Sequence, residues 1–274
     1  MGRQSSLRRE EWTLRSLVSL SAFPKSGVTY LSFLLFYSLF PEECDIHEIE
    51  RKYILDIHAF PDATFADPDG PRLIKSHFPY VPRMPVIRST GKAIYLLRHP
   101  IDVMASAWDF ENLTAGGSRA TGSPEFRAYV RRWIETGGDA FPWCGTWVQH
   151  VRSWLSQTDI PVHVVHYEDL VDRPESQLAS IFAFLSVSVP AERARRALEK
   201  SSMRAMAAVE QQEVDSRREG VFFRDSLAPG YSRGHRFINK GYRGSYERLL
   251  TEEERALCDR TFGPELARYF AVRR

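Results

Sequence analysis

The stretch from Leu17 to Phe40 constrains the fold more than any other part of the chain. Leu17–Phe23 is a short apolar run carrying two serines, and it stops at Pro24. A run of that length and composition, closed by proline, predicts a buried β-strand. Thr29–Phe40 follows with helical character and ends before Pro41, where a helix has to stop. Only Pro24-Lys25-Ser26-Gly27-Val28 separates the two. A strand passing into a helix across so short a loop leaves the helix N-terminus beside the strand's carboxyl end. Unpaired N–H groups and a positive dipole end gather there, so the junction suits an anion.

The same alternation recurs downstream. Arg72–Ser76, Lys92–Arg98 and Val162–His166 read as further short strands,. Ile101–Phe110 reads as a helix with Asp102 suited to its first turn,. Helices are predicted at about 124–136, 145–157, 174–185, 190–199 and 251–260. Strands alternating with helices imply an α/β fold, a central parallel β-sheet flanked by helices. Ligands of such sheets bind at the carboxyl ends of the strands. The 274 residues show no repeat or long linker, so residues 17–274 are predicted as a single domain behind a flexible tail at 1–16. Two glycine-bearing loops stand out, Glu111–Ser123 and Gly220–Gly234; loops of this length are often lids or binding loops, and the first reads equally as surface irregularity,.

Composition removes several classes. A formal net charge of +2 gives no broad basic field, so no nucleic-acid partner is expected,. Cys44, Cys144 and Cys258 are far apart and form no metal-ligand spacing, so a reduced compartment and no zinc site are expected,. No stretch reaches the roughly 18–20 apolar residues of a membrane span. The expected setting is cytoplasmic, without stable membrane association.

Four short segments carry the chemistry. In Pro24-Lys25-Ser26-Gly27-Val28-Thr29-Tyr30, Gly27 lets the backbone approach a phosphate, Lys25 adds a mobile charge, and Ser26 and Thr29 add hydroxyl donors,. The plainer reading is an ordinary capped turn, and the order of residues is not that of the Walker loop, because the glycine follows the lysine. In Arg72-Leu73-Ile74-Lys75-Ser76-His77-Phe78-Pro79, the period of two puts Lys75 and His77 on one face,. A histidine there suits general-base work near neutral pH, although a lone histidine is more often structural. In Arg98-His99-Pro100-Ile101-Asp102, continuing to Ser106, arginine and serine can grip one phosphate; the plainer reading is an Arg98–Asp102 surface pair and a buried small serine,. Phe237-Ile238-Asn239-Lys240-Gly241-Tyr242-Arg243-Gly244 has the glycines and bases of a phosphate loop or of a solvated turn,.

Together these segments resemble the sulfotransferases that use 3′-phosphoadenosine 5′-phosphosulfate, nearest the cytosolic small-molecule type. The family's PKSGTTW loop is matched at Lys25, Ser26, Gly27 and Thr29, its KTH segment by Lys75-Ser76-His77, and its RNPKDxxVS segment by Arg98, Pro100, Asp102, Val103 and Ser106. Its GSWxxHVxxW helix resembles Gly145-Thr146-Trp147 through His150-Val151 and Trp154, its YEDL segment is intact at Tyr167-Glu168-Asp169-Leu170, and its closing RKGxxGDW resembles Asn239-Lys240-Gly241 through Tyr246. The matches run in family order from about residue 20 to about 270.

The resemblance implies a P-loop-type sheet and transfer of sulfonate to a hydroxyl or amine of a small, hydrophobic or aromatic acceptor, leaving adenosine 3′,5′-bisphosphate and needing no metal. It implies His77 as general base, with Lys25 and Lys75 as the charge-stabilising catalytic lysines. Lys25, Ser26, Gly27, Val28, Thr29 and Tyr30 would hold the 5′-phosphosulfate side of the donor. Arg98, Ser106, Lys240 and Gly241 would hold its 3′-phosphate, and Tyr167 and Ser201 would lie near the adenine. Val28 stands where the family has a second threonine, and Asn239 where it has arginine, which leaves open whether Arg236 or Arg243 compensates. Only Thr251 of the family's dimer motif is matched within Glu247–Ala256, so the oligomeric state stays open. The rival readings are a P-loop small-molecule kinase, which lacks a Walker loop here, and a non-catalytic nucleotide-binding protein of the same fold, against which the joint presence of Lys25, Lys75 and His77 argues.

Overall fold

The computed structural model describes residues 17–66, 72–82, 85–115, 119–238 and 246–270. The expected tail at 1–16, Gly116-Gly117 of the first loop, and Asn239, Lys240, Gly241 and Arg243 lie outside the described residues. The described strands are β1 (Leu17–Ala22), β2 (Ile54–Asp56), β3 (Leu73–Ser76), β4 (Thr90–Leu97) and β5 (Val162–His166). They form one sheet in the order β2-β3-β1-β4-β5. Every pairing is parallel. The helices are α1 (Val28–Leu39), α2 (Pro85–Arg88), α3 (Pro100–Ala115), α4 (Pro124–Thr136), α5 (Trp147–Leu155), α6 (Tyr167–Asp172), α7 (Pro174–Leu185), α8 (Ala191–Lys200), α9 (Met203–Ser216), α10 (Ala228–Ser232) and α11 (Glu252–Tyr269).

The period of two divides the sheet's side chains between two cores. Val18, Leu20 and Ala22 of β1 and Ile94 and Leu96 of β4 join α1 and α7 on one face. Ala93, Tyr95 and Leu97 of β4 join α3, α4 and α5 on the other. Central β1 also carries Ser19 and Ser21 fully buried. Their hydroxyls pair with each other at 2.7 Å, which removes the cost of burying them unbonded,. Helix α1 is apolar on almost every side, and ten of its residues are buried, as expected of a helix enclosed by sheet and neighbours.

Two helices run past their predicted ends. Helix α3 continues to Ala115, so the expected loop at Glu111–Ser123 starts as helix; Leu113 is buried with Phe223 and Tyr231, and that packing carries the helix onward. Helix α11 runs past residue 260 through Pro264 to Tyr269, held by Phe262 edge-on to Trp133 and Trp147. Strand β2 and helix α9 were not expected. The first has three residues, too few for periodicity to register, and the second buries glutamates where an amphipathic pattern demands apolar side chains. Among the described residues no helix is long and apolar enough to cross a membrane.

Candidate active site

All five strands deliver side chains at or just past their carboxyl ends to one cavity of about 480 Å³: Pro24 and Lys25 after β1, Asp56 and His58 from β2, Lys75 and His77 from β3, Arg98 after β4, and Tyr167 after β5. The adjoining ends of α1 and α3 add Gly27, Val28, Thr29, Tyr30 and Ser106. The cavity thus gathers ten of the residues expected to act in catalysis or hold the donor. Ser26 and Ser201 do not line it and are buried, at 1% and 0% exposure.

The loop between β1 and α1 is held in an unusual backbone shape. Lys25 has φ 68° and Gly27 φ 98°. At Gly27 the lack of a side chain is needed twice, because a Cβ would also meet the Tyr167 ring at 2.5 Å,. Arg98 supports the same loop: Nη1 donates to the Lys25 carbonyl at 3.0 Å while the guanidinium lies 4.3 Å from the Tyr167 ring centre. Helix α1 starts at Gly27 with no side-chain cap and no acid in its first turn. The Ser26 hydroxyl is buried and has no hydrogen-bond partner among the described residues. An uncapped helix start, an orphaned buried donor and the cations Lys25, Lys75 and Arg98 are what a multiply charged anion requires.

His77 sits opposite this loop. Its Nδ1 lies 2.8 Å from the carbonyl oxygen of Ala22. A carbonyl only accepts, so Nδ1 carries the proton and Nε2 keeps its lone pair. The backbone is fixed as well: His77 N–H donates to Nε2 of His58 at 2.8 Å, and the His77 carbonyl accepts from Nε2 of His150 at 3.1 Å. Burial first, then the charge of Lys75, hold the imidazole at about 3, so it is neutral at ordinary pH.

Lys75 is the centre of a buried ion cluster. Its ammonium lies 2.5 Å from Glu50 and 2.9 Å from Asp56, and Arg224 reaches Glu50 at 3.3 Å. The sequence reading had Lys75 on the face of His77, and both do line the cavity. The carboxylates that engage Lys75 were not expected. They come from a π-helical turn at Ile49–Tyr53 and from β2, segments without a recognisable motif. Against the pull of burial, the two carboxylates hold the lysine above its usual range. Lys25 is different: burial first, then Lys75 and Arg98, lower it to about 7.

Aromatic side chains furnish the rest of the wall. Trp143 stacks on His58 at 4.3 Å between centroids, and Phe110 stacks on Phe141 at 5.6 Å. Phe110, Phe141, Trp143 and Phe222 line the cavity. Phe23, Trp108 and Phe223 belong to the core. His58 went unnoticed in the sequence, where it stands alone. Among the described residues no cluster of metal-ligating side chains exists, and the cysteines are free thiols.

Comparison with known proteins follows the same line. A family model described as sulfotransferase domain matches residues 16–270. Sulfotransferase 2A2 of Mus musculus is 25% identical over 252 residues, covering 89% of this chain and 82% of that protein. Cytosolic sulfotransferase 8 of Arabidopsis thaliana is 25% identical over 260 residues, covering 86% and 72%. The crystal structure of mouse sulfotransferase SULT7A1 complexed with PAP gives a TM-score of 0.65 at 18% identity, covering 97% of this chain and 88% of that one. That last likeness is one of fold.

Proposed function

The chain belongs to the sulfotransferase domain family and is a sulfotransferase; we propose that it moves sulfonate from 3′-phosphoadenosine 5′-phosphosulfate to a hydroxyl or amine of a small hydrophobic or aromatic acceptor, with His77 as general base. The donor, when bound, supplies an activated sulfonate on a phosphate leaving group. The observation that carries the assignment of the base is the His77–Ala22 bond, which leaves Nε2 unprotonated in a cavity shared with the Lys25 loop.

Each residue then has a physical task. The start of α1, with Ser26, Gly27, Val28, Thr29 and Tyr30, receives the phosphosulfate through N–H groups and hydroxyls. Arg98 and Ser106 serve the 3′-phosphate, and Tyr167 and Ser201 the adenine side. Nε2 of His77 takes the acceptor proton as the acceptor oxygen or nitrogen bonds to sulfur. The sulfur–oxygen bond to the phosphate breaks with its electron pair left on the phosphate, where Lys25 neutralises the charge. Lys75, engaged by two carboxylates, acts on this step through its field and by fixing the floor beneath His77. The bound anion opposes the depressing effect of Lys75 on His77, which raises the basicity of the imidazole when it is needed. The stacked pairs His58–Trp143 and Phe110–Phe141 support a flat apolar acceptor,.

Thermal denaturation tests the donor class. Adenosine 3′,5′-bisphosphate should raise the melting temperature more than ATP with Mg²⁺ does. The opposite ranking would favour a kinase and overturn the reading. Sulfonated product from a panel of phenols and hydrophobic alcohols, detected with labelled donor, then identifies the acceptor.

A further inference from the structure

The ammonium of Lys25 rests 3.8 Å from the ring centre of Phe237 and 4.3 Å from that of Phe110. Cation–π contacts of this kind fix an amine that has no carboxylate within ion-pair distance among the described residues. Phe237 lies near the end of a strap, residues 220–238, which contributes Val221, Phe222, Arg224, Leu227, Phe237 and Ile238 to the cavity wall. The placing of Lys25 therefore depends on what holds the strap.

Two buried glutamates of α9 hold it. Glu213, at 0% exposure, accepts N–H bonds from Val221 at 3.0 Å, Phe222 at 2.7 Å and Phe223 at 3.0 Å. Glu210, at 1% exposure, accepts from Phe237 at 2.5 Å and Ile238 at 3.0 Å. A buried carboxylate is costly unless its oxygens are occupied, and charge-assisted bonds to backbone N–H groups are strong. The two clamps share their chemistry and differ in place. Glu213 also pairs with His47 at 2.7 Å and secures the early part of the strap. Glu210 secures the residues that cover Lys25.

We propose that Glu210 is a positioning residue of the sulfonate-donor site: by holding Phe237 and Ile238 it fixes where the Lys25 ammonium rests. This rests on the sulfotransferase reading. The groups that act on Lys25 are few. Lys75 and Arg98 disfavour its charge, as does burial, while Asp109 and Glu210 favour it. With Lys25 at about 7, the amine stands near the midpoint of its titration. A neutral amine cannot compensate a leaving phosphate, so Asp109 and, after it, Glu210 favour the protonated form on which the step depends.

Competitive acylation of the ligand-free protein across the neutral pH range, read by mass spectrometry at Lys25, tests this without any nucleotide. In Glu210→Gln the Lys25 midpoint should fall by about half a unit, roughly three-fold in its dissociation constant. In Glu213→Gln it should stay in place while the melting temperature drops. Glu210→Asp, which keeps the charge, should restore most of the midpoint. Calorimetry should show adenosine 3′,5′-bisphosphate binding more weakly to Glu210→Gln at neutral pH and recovering as the pH is lowered. An unchanged Lys25 midpoint in folded Glu210→Gln overturns the proposal, and so does an equal fall in Glu213→Gln, which would mark general loosening of the strap. If the wild type bound no adenosine bisphosphate, the sulfotransferase reading would fall, and the labelling would still decide whether Glu210 governs Lys25.

Discussion

The Nδ1 proton of His77 is held by the carbonyl oxygen of Ala22 at 2.8 Å, a bond that joins the end of β3 to the end of β1. It fixes the tautomer and orients the ring in one contact. His77→Ala should lower turnover by about 10²–10⁴-fold, the usual worth of a positioned base, while adenosine 3′,5′-bisphosphate still binds. Transfer of labelled sulfonate gives the rate and calorimetry the binding. Near-normal turnover in this variant would remove His77 from the chemistry.

Gly27→Ala should damage the donor loop. The residue sits at φ 98°, where a side chain costs about 1–2 kcal/mol, and its Cβ would fall 2.5 Å from the Tyr167 ring. Tyr167 then has to move, which also disturbs the guanidinium of Arg98 packed 4.3 Å away. Affinity for adenosine 3′,5′-bisphosphate should drop by about tenfold or more. An unaltered dissociation constant would show that the loop is not where the nucleotide binds.

Lys75→Met should be costly to stability. Removing one member of a buried pair leaves charge uncompensated, typically about 3–5 kcal/mol, and here Glu50 and Asp56 both lose their 2.5 and 2.9 Å partner. Asp56→Asn added to the same chain should recover part of the loss. The amide oxygen can keep the N–H bonds that Oδ1 accepts from His58 and Ala59, and one unpaired charge disappears. Denaturant melts of the single and double variants measure the coupling. A Lys75→Met protein as stable as the wild type would show that the cluster is solvated.

Acid should unfold the protein over a defined window. Burial holds His58 and His150 at about 4 and His77 at about 3, whereas an unfolded histidine titrates near 6.5,. Below about 6.5 the unfolded chain takes up protons that the folded chain refuses, so stability is complete above that pH and falls as the pH drops towards about 4. His150 is fully buried, between the Tyr95 hydroxyl at 2.9 Å and the His77 carbonyl at 3.1 Å. His150→Gln should lower the melting temperature at neutral pH and make its dependence on acid shallower. An unchanged slope would mean that other groups set the acid limit.

The strand and helix core was legible because its residues obey a local period. Leu17–Phe23 and Thr29–Phe40 announced β1 and α1 to within a residue at each boundary, and 124–136, 162–166 and 174–185 match their elements end for end. Helix α9 was hidden by its own function. Met203, Met206, Glu210 and Glu213 follow helical spacing, yet two of the four are charged, and local reasoning assigns charges to solvent. The spacing itself was the available signal.

What the sequence determined by itself is the set of parts whose chemistry is local: a loop between strand and helix that suits an anion, a histidine and a lysine two residues apart on one strand, and an arginine at the end of another. Tertiary structure alone decided their states. Glu50 and Asp56 reach Lys75 from 25 and 19 residues away along the chain, Ala22 meets His77 across 55, and Glu210 holds Phe237 across 27. Whether a buried lysine is fully charged or poised near the midpoint of its titration, and which nitrogen of an imidazole carries the proton, depends on desolvation and on nearby partners. Those partners are neighbours in space only after the sheet has closed over them.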